Sequence, residues 1–287
     1  MQDSKLSNIG KISKSPDSFQ EPSLGGKGAF LLHLADNALI LAQRNSEWCG
    51  HGPVLEQDIA ITNISLDLLG QARNLYQYAA LLINKKSNNS SATSLHGAGK
   101  EVTEDSLSFL RTEREFKNCL LVEQPNGNWG QTILRQYLFS VYQYLLYGQL
   151  QNCKDETLAA IAAKSLKEVT YHVRWSSEWV IRLGDGTTES HKKMEQALEE
   201  TWPYTGELFL PEAYEAETIT SFDLASLRQP WLEKITNVLE EATLLTSGLN
   251  EKIFMQSGGK KGLHTEHMGY ILAELQYMQR AYPNAEW

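Results

Sequence analysis

The sequence predicts an all-α protein built as a helical bundle, and three observations support this. Apolar residues recur at heptad spacing through several long segments, as they do along the buried seam of a packed helix. No stretch shows the sustained two-residue alternation of a strand, and no hairpin turn joins two β-branched runs. Clusters of Gly, Pro and Asn separate the periodic segments, where turns between helices are expected.

Composition excludes several classes of function. The 287 residues are 41% hydrophobic and 21% charged, which is ordinary for a globular protein with an ample core. The net charge of −9 argues against a nucleic-acid surface and against attraction to anionic lipid. Three widely spaced cysteines without a CxxC pair indicate reduced thiols in a cytosolic protein. No signal-peptide core and no apolar run of about 18 residues is present, so a cytoplasmic location is expected.

The first part of the chain predicts a tail and two helices. Residues 1–28 are rich in Ser, Lys and Gly and are predicted to be a disordered tail, with residues 29–287 forming a single domain. A first helix is predicted over Ala29–Trp48, ended by a Cys-Gly-His-Gly turn. A second begins at Pro53, since proline suits a first helical position, and continues to Ile83.

The second helix carries the seam around which the chain is organised. Its inner rows are formed by Ile61, Ile64, Leu68, Leu75, Tyr78 and Leu82. Gln71 interrupts these rows. An amide at such a position must find a hydrogen-bond partner inside the bundle, so Gln71 is the main clue to function in this helix.

The remainder predicts a polar loop and further helices. The loop lies near residues 85–103 and contains the low-complexity segment KKSNNSSATSLHGAGK. Residues 203–223 are predicted to be irregular. The predicted helices are Glu104–Glu123, Gly130–Asn152, Asp155–Leu183, Thr187–Trp202, Leu224–Lys252 and Glu266–Ala281.

A helical bundle can hold two metal ions in the ferritin-like arrangement, and the sequence lacks the residues for it. That arrangement takes a Glu from each of two helices and a Glu-x-x-His from each of the other two. No Glu in this chain has a His three positions later. The two long helices instead carry Leu68 and Gln71, and Val169 and His172, at that spacing, while the helix from Gly130 contains no Asp or Glu.

Three carboxylates, Glu47, Asp67 and Glu168, are the candidate polar groups near the bundle interior. Glu168 precedes His172 by four residues, so the pair could be half of a metal site or a buried imidazole satisfied by a nearby carboxylate or hydroxyl. The second interpretation is favoured, because this seam holds one imidazole and no second carboxylate. Glu47 and Asp67 could each pair with an arginine, which needs no metal.

The remaining motifs are weak. Nucleophilic catalysis has no support, since no Gly-x-Ser-x-Gly occurs and no Cys has an evident His–carboxylate setting. His264 and His267 are interpreted as helix-capping or partner-contact residues, and His33 stands alone without a signal. The final helix is rich in Tyr and Met, and two interpretations stay open: a protein interface or part of the core.

Four segments together resemble the family of C subunits of bacterial phenylacetyl-CoA 1,2-epoxidases. They are Ser46–Ala79, Phe109–Phe139, Ala162–Met194 and Gly262–Pro283. The resemblance implies an all-α ferritin-like helical bundle with additional C-terminal helices. It also implies a multicomponent monooxygenase in which the homologous catalytic A subunit holds the di-iron centre, alongside smaller subunits and an NADPH-dependent reductase.

In this family the C subunit is the structural, non-catalytic companion, so the resemblance implies no metal and no cofactor in this chain. Where the catalytic relative has Glu-x-x-His, this chain has Leu68 to Gln71 and Val169 to His172, and of those ligands it retains only His172. These four positions are interpreted as a relic metal site. The alternative is a catalytic di-metal oxygenase with atypical ligands drawn from Glu47, Asp67, Glu168 and His172.

Overall fold

The computed structural model describes residues 25–89, 101–244, 254–282 and 285, and within these ranges it contains helices and turns but no strand. In chain order the helices are α1 Gly26–Ser46, α2 Leu55–Asn89, α3 Glu104–Phe109, α4 Leu120–Glu123, α5 Trp129–Leu150, α6 Glu156–Gly184, α7 Thr188–Thr201, α8 Ala213–Thr218, α9 Arg228–Glu241, α10 Glu266–Leu275 and α11 Tyr277–Ala281. None of these described helices is long and apolar enough to cross a membrane.

Two antiparallel helix pairs form the core of the bundle. α1 packs against α2, α5 packs against α6, and the pairs meet where α2 lies beside α6. The side chains that join α2 to α6 show that these helices also run antiparallel, because Gln57 bonds Trp175 while Tyr78 bonds Asp155. The inner rows predicted for α2 are confirmed, since Ile61, Ile64, Leu68 and Leu75 are buried and Tyr78 and Leu82 are half-buried.

The two pairs differ in how deeply they are buried. Every residue of α1 from Phe30 to Ala42, and of α5 from Thr132 to Gln143, is buried. A helix buried on all sides needs neighbours on all sides. The later helices supply them: α4, α8 and α10 pack on α1, and α7 and α9 pack on α5. α2 and α6 each keep an exposed face, although α3 packs on α2 and α7 and α9 also pack on α6.

Side-chain caps set the starts of the core helices. Asn128, the last residue of the Pro-Asn-Gly-Asn segment before α5, accepts hydrogen bonds from the first backbone N–H groups of α5. Asp155 does the same for α6 through the N–H of Leu158. These caps satisfy donors that have no partner inside the helix.

The helix predicted over Glu104–Glu123 is wrong. The chain forms α3, then a short 3-10 turn and an extended stretch, and becomes helical again only at α4. The reason is competition for backbone N–H groups. The N–H of Lys117 donates to Asp36 at 2.8 Å, and that of Cys119 donates to Asn37 at 2.8 Å. Two polar side chains of α1 therefore hold this stretch extended.

Two boundaries near the start of the chain also differ from prediction. α1 begins at Gly26, so the predicted tail is wrong for residues 26–28, and residues 1–24 lie outside the described residues. α2 continues through Asn89, so the predicted loop is wrong for its first five residues, and 90–100 lie outside the described residues. Lys, Ser and Asn each cost a helix well under about 1 kcal/mol relative to Ala, so a polar stretch does not by itself end a helix.

The C-terminal half departs from prediction in smaller ways. The segment 203–223 contains α8 and two 3-10 turns. α9 ends at Glu241, where Thr243 takes a positive φ of 59° and the N–H of buried Leu244 reaches back to the carbonyl of Leu239. The rest of that predicted helix, 245–252, lies outside the described residues. The final helix is interrupted at Gln276.

Candidate functional site

The antiparallel packing of α2 and α6 brings the four predicted positions together in the interior. Leu68 and Val169 are fully buried, as are Gln71 and His172. The two polar side chains therefore lie in the interior between α2 and α6, where each needs a hydrogen-bond partner.

Both polar side chains have carboxylate partners across the helix interface. Nε2 of His172 lies 3.0 Å from Oδ2 of Asp67, and Nε2 of Gln71 donates to Oε2 of Glu168 at 3.0 Å. Gln143 of α5 joins them, since its Nε2 donates to Oε1 of Gln71 at 3.5 Å. The imidazole is held by a carboxylate, as the favoured interpretation requires, but the carboxylate is Asp67 rather than Glu168 on its own helix.

The three candidate carboxylates are less buried than predicted. Glu47 is exposed beyond the end of α1, where it accepts from Arg44 at 3.2 Å and from Asn126 at 2.7 Å. Asp67 and Glu168 are half-buried at the edge between α2 and α6. A carboxylate at such an edge can bond an interior donor while it keeps water on its other side, which avoids the cost of full burial.

The Tyr147 phenol of α5, close to Glu168, adds no charge to the site. Burial raises the pKa of the Tyr147 phenol on α5, and the charge of Glu168 raises it further, so Tyr147 stays protonated. Two polar atoms here are buried without a hydrogen-bond partner, Nδ1 of His172 and Oε1 of Gln143. Atoms of this kind reduce stability, because their hydration is lost without replacement.

These residues do not fit a two-metal centre. Such a centre needs several carboxylates and two imidazoles that converge, whereas this position holds two aliphatic side chains, two amides and one imidazole. In the part of the chain that the structure describes, no three His, Cys, Asp or Glu side chains lie close enough together to hold a metal ion. The Nε2 atom of the single imidazole is already bonded to Asp67.

A second set of buried polar residues, on α1, is not predicted by the periodicity or by any motif. Asp36 is fully buried and accepts hydrogen bonds from the Tyr76 hydroxyl, the Arg111 guanidinium and the Lys117 backbone. The Arg111 side chain is also fully buried. This ion pair joins α1 and α2 to the segment after α3, in surroundings where the charges cannot be solvated.

A third buried set, an ion pair, ties the C-terminal region to the bundle. Nζ of Lys260 donates to both carboxylate oxygens of Glu215, at 3.1 and 3.0 Å, and to the carbonyls of Leu208 and Leu210. His33 of α1, which belongs to no motif, lies 3.6 Å from the same carboxylate. Burial lowers the pKa of His33 despite this neighbour, so its ring favours the neutral form.

His264 is neither a helix cap nor a partner contact, and that prediction is wrong. Its side chain is buried, with Nδ1 2.7 Å from Glu123 and Nε2 3.0 Å from the carbonyl of Phe116. Both ring nitrogens face acceptors, which only the imidazolium satisfies fully. Burial opposes that charge, but the hydrogen bond and charge of Glu123 outweigh it and raise the pKa of His264.

These buried pairs are structural in character. Each is closed by partners from the chain itself, and each links segments far apart in sequence. Cys119, next to them, is no nucleophile, since burial raises its thiol pKa well above the usual value. One signal in the sequence could have found them: His33, Asp36 and Asn37 interrupt an otherwise apolar helix.

The molecule is a ferritin-like helical bundle. Its core is two antiparallel helix pairs, and further C-terminal helices extend it. The chain belongs to the phenylacetic acid catabolic protein family, whose model matches residues 14–287. It is 45% identical over 262 residues to the C subunit of 1,2-phenylacetyl-CoA epoxidase from Escherichia coli strain K12, an alignment that covers 90% of this chain and 98% of that protein. The predicted fold class and the family resemblance are confirmed.

Proposed function

We propose that this chain is a structural, metal-free subunit of a multicomponent di-iron monooxygenase that epoxidises the aromatic ring of phenylacetyl-CoA in phenylacetate catabolism. The similarity to the C subunit of an epoxidase supports membership of such a complex. The observation that carries the structural role is the chemistry of the relic positions. Aliphatic side chains stand at Leu68 and Val169, an amide at Gln71, and the remaining imidazole is bonded to Asp67.

In this proposal the chain pairs with a homologous catalytic subunit, which holds the di-iron centre and binds the CoA substrate. Smaller subunits and an NADPH-dependent reductase complete the cytoplasmic enzyme. One oxygen atom of O₂ enters the ring and the other leaves as water, with two electrons drawn from NADPH. No step of this reaction is assigned to a residue of this chain.

The contribution of this chain is to stabilise and shape its partner. The buried ion pairs support this role, because they fix the positions of α3, α4 and the C-terminal segment against the four-helix core. A rigid bundle keeps its surface in one arrangement, so little conformational freedom is lost when a partner docks on it.

Co-expression with the homologous subunit tests the proposal. Two bundles joined permanently are expected to bury on the order of 2,000 Å² or more, and such a complex survives gel filtration. We expect the pair to elute together and the isolated catalytic subunit to be less stable and less active. Separate elution at micromolar concentration, or full activity of the catalytic subunit without this chain, would contradict the proposal.

A further inference from the structure

The last long described segment lies on the outside of the bundle and buries little apolar surface. Residues 254–282, which we call the C-terminal strap, contain α10 and α11 and pack on α1, α4 and the 3-10 turn at Glu113–Glu115. Three of its apolar side chains are buried in the core: Met268, Ile271 and Leu272. Six large ones are exposed: Phe254, Leu263, Tyr270, Tyr277, Met278 and Tyr282. A segment with few buried apolar contacts opens more easily than the core on which it lies.

Buried carboxylates hold the first half of the strap. Oε1 of Glu207 accepts hydrogen bonds from the backbone N–H groups of Gly258 at 2.7 Å and Lys260 at 3.2 Å. Oε1 of Glu123 accepts from the backbone N–H of Thr265 at 2.7 Å and from its hydroxyl at 2.8 Å. Both carboxylates are buried. Together with the ion pair of Lys260 described above, they form a clamp that holds the strap through charged groups.

Two glycines let the strap backbone lie directly on the stretch that follows α3. A Cβ at Gly259 would overlap the carbonyl oxygen of Asn118, and a Cβ at Gly262 would overlap that of Arg114. Gly262 also has a positive φ of 75°. A Cβ at Gly269 of α10, in contrast, has its nearest neighbour, a side-chain oxygen, 4.0 Å away. The close backbone contact is therefore confined to the clamped half of the strap.

His264 adds a titratable group to the clamp. Its Nδ1 lies 2.7 Å from Oε2 of Glu123 and its Nε2 lies 3.0 Å from the carbonyl oxygen of Phe116. Only the imidazolium donates to both acceptors. When the ring loses its proton, one of the two contacts brings an acceptor against an acceptor, and the buried Glu123 carboxylate loses a neighbouring positive charge.

Other charged or titratable groups surround the clamp. They are His33, Asp36 and Arg44 on α1, Arg111 after α3, Tyr204 before α8 and Glu266 on α10. Asp36 is paired with Arg111, and guanidinium groups keep their charge at every pH at which proteins fold. Burial lowers the pKa of His33, so this ring is neutral above pH 6.5. Burial raises the pKa of Tyr204, so its phenol stays protonated. His264 is therefore the group of this set whose charge changes as pH rises from 6.5.

We propose that the C-terminal strap opens and closes on the folded bundle as a unit, and that the proton on His264 keeps it closed. The imidazolium completes the clamp. Its stabilising effect is full below pH 6.5 and is lost as pH rises through the folded-state pKa, which the hydrogen bond and charge of Glu123 raise against the effect of burial. The core helices do not open with the strap, because apolar contacts within the two helix pairs hold them.

Hydrogen exchange of the purified full chain, followed by mass spectrometry from about pH 6 to about pH 9, tests this proposal. Protection is expressed as the ratio of intrinsic to observed exchange rate, which removes the direct effect of pH on exchange. Peptides from the strap are compared with peptides from α5. Two variants weaken the clamp, His264→Gln and Gly259→Ala. Their matched controls are His51→Gln, at an exposed turn, and Gly269→Ala, in the same strap but with space for a Cβ.

We expect strap protection in the wild type to fall about tenfold or more over this pH range, because a hydrogen bond to a charged group is worth that factor. Protection of α5 should stay constant. His264→Gln should show weak strap protection that does not vary with pH, and His51→Gln should keep the wild-type profile. Gly259→Ala should lower strap protection at every pH, whereas Gly269→Ala should not lower it.

Three results would overturn the proposal. Strap protection in the wild type that is independent of pH would show that His264 does not control closure. A wild-type profile in His264→Gln would show the same. Equal losses in strap and α5 peptides would show that the whole bundle unfolds together. If Gly259→Ala does not fold, the pair of histidine variants still decides between these outcomes.

Discussion

Replacement of Gln71 tests whether this buried amide serves stability. Gln71 is buried, donates to Glu168 at 3.0 Å and accepts from Gln143 at 3.5 Å. Gln71→Ala removes both bonds and leaves a space in the interior. Glu168 is half-buried and can recover a bond from water, whereas the amide of Gln143 is buried and loses the acceptor that Gln71 provides.

The magnitude follows from these contacts. For Gln71→Ala, the cavity should cost about 2 kcal/mol of stability, the lower end of the range for large-to-small core substitutions. The Gln143 N–H that loses its acceptor adds about 1 kcal/mol. Gln71→Leu strands the same donor but fills the space with apolar atoms, so it should cost about 1 kcal/mol. At about 2 °C per kcal/mol for a chain of this size, the two variants should differ in Tm by about 4 °C.

The assay is thermal and urea unfolding of the purified chain, with Gln149→Ala as the matched control. Gln149 lies exposed on α5, so its removal should change Tm by less than about 1 °C. Equal losses for Gln71→Leu and Gln71→Ala would refute the reasoning, since the cost would then come from the polar contacts and not from the space. No loss for Gln71→Ala would show that the position is not packed.

Three further predictions concern the other buried polar groups. Asp36→Asn leaves the Arg111 charge buried without its counter-ion and should destabilise the chain by about 3–5 kcal/mol in urea unfolding. The double variant Asp36→Leu with Arg111→Met removes both charges and should cost less. A smaller loss for Asp36→Asn than for the double variant would contradict this. His264 has a raised folded-state pKa, so its ion pair with Glu123 stabilises the fold fully below pH 6.5 and loses this effect as pH rises through the folded pKa. The Tm difference between wild type and His264→Gln should therefore shrink from about pH 6 to about pH 9, and a difference that grows would be inconsistent with the charged pair. His172→Ala should lower Tm but leave the epoxidation rate per assembled complex nearly unchanged; a large loss of rate in a folded, assembled complex would show that His172 takes part in chemistry.

The sequence predicts the parts of this fold that depend on local periodicity. The heptad rows of α2 locate its inner face, and the spacing of Leu68 with Gln71 and of Val169 with His172 identifies the facing positions. Both follow from the geometry of one helix, which fixes which residues share a face. The sequence also indicates that the imidazole needs a carboxylate or hydroxyl partner, because buried polar groups are generally hydrogen-bonded.

What the sequence does not predict depends on residues far apart in the chain. The segment after α3 is extended because Asp36 and Asn37, about 80 residues earlier, take its N–H groups. His264 looks like a capping residue until the fold places Glu123 beside it. Local propensity cannot show such contacts, since tertiary packing overrides it.

The central claim is that this chain carries no catalytic metal, and iron analysis of the separated subunits tests it most directly. The complex should be assembled with excess ferrous iron, the subunits separated under mild conditions, and iron measured against protein in each by elemental analysis. We expect close to two iron ions in the homologous catalytic partner and close to none in this chain, because its facing positions hold Leu68, Gln71, Val169 and an engaged His172. About two iron ions bound to this chain would contradict the claim.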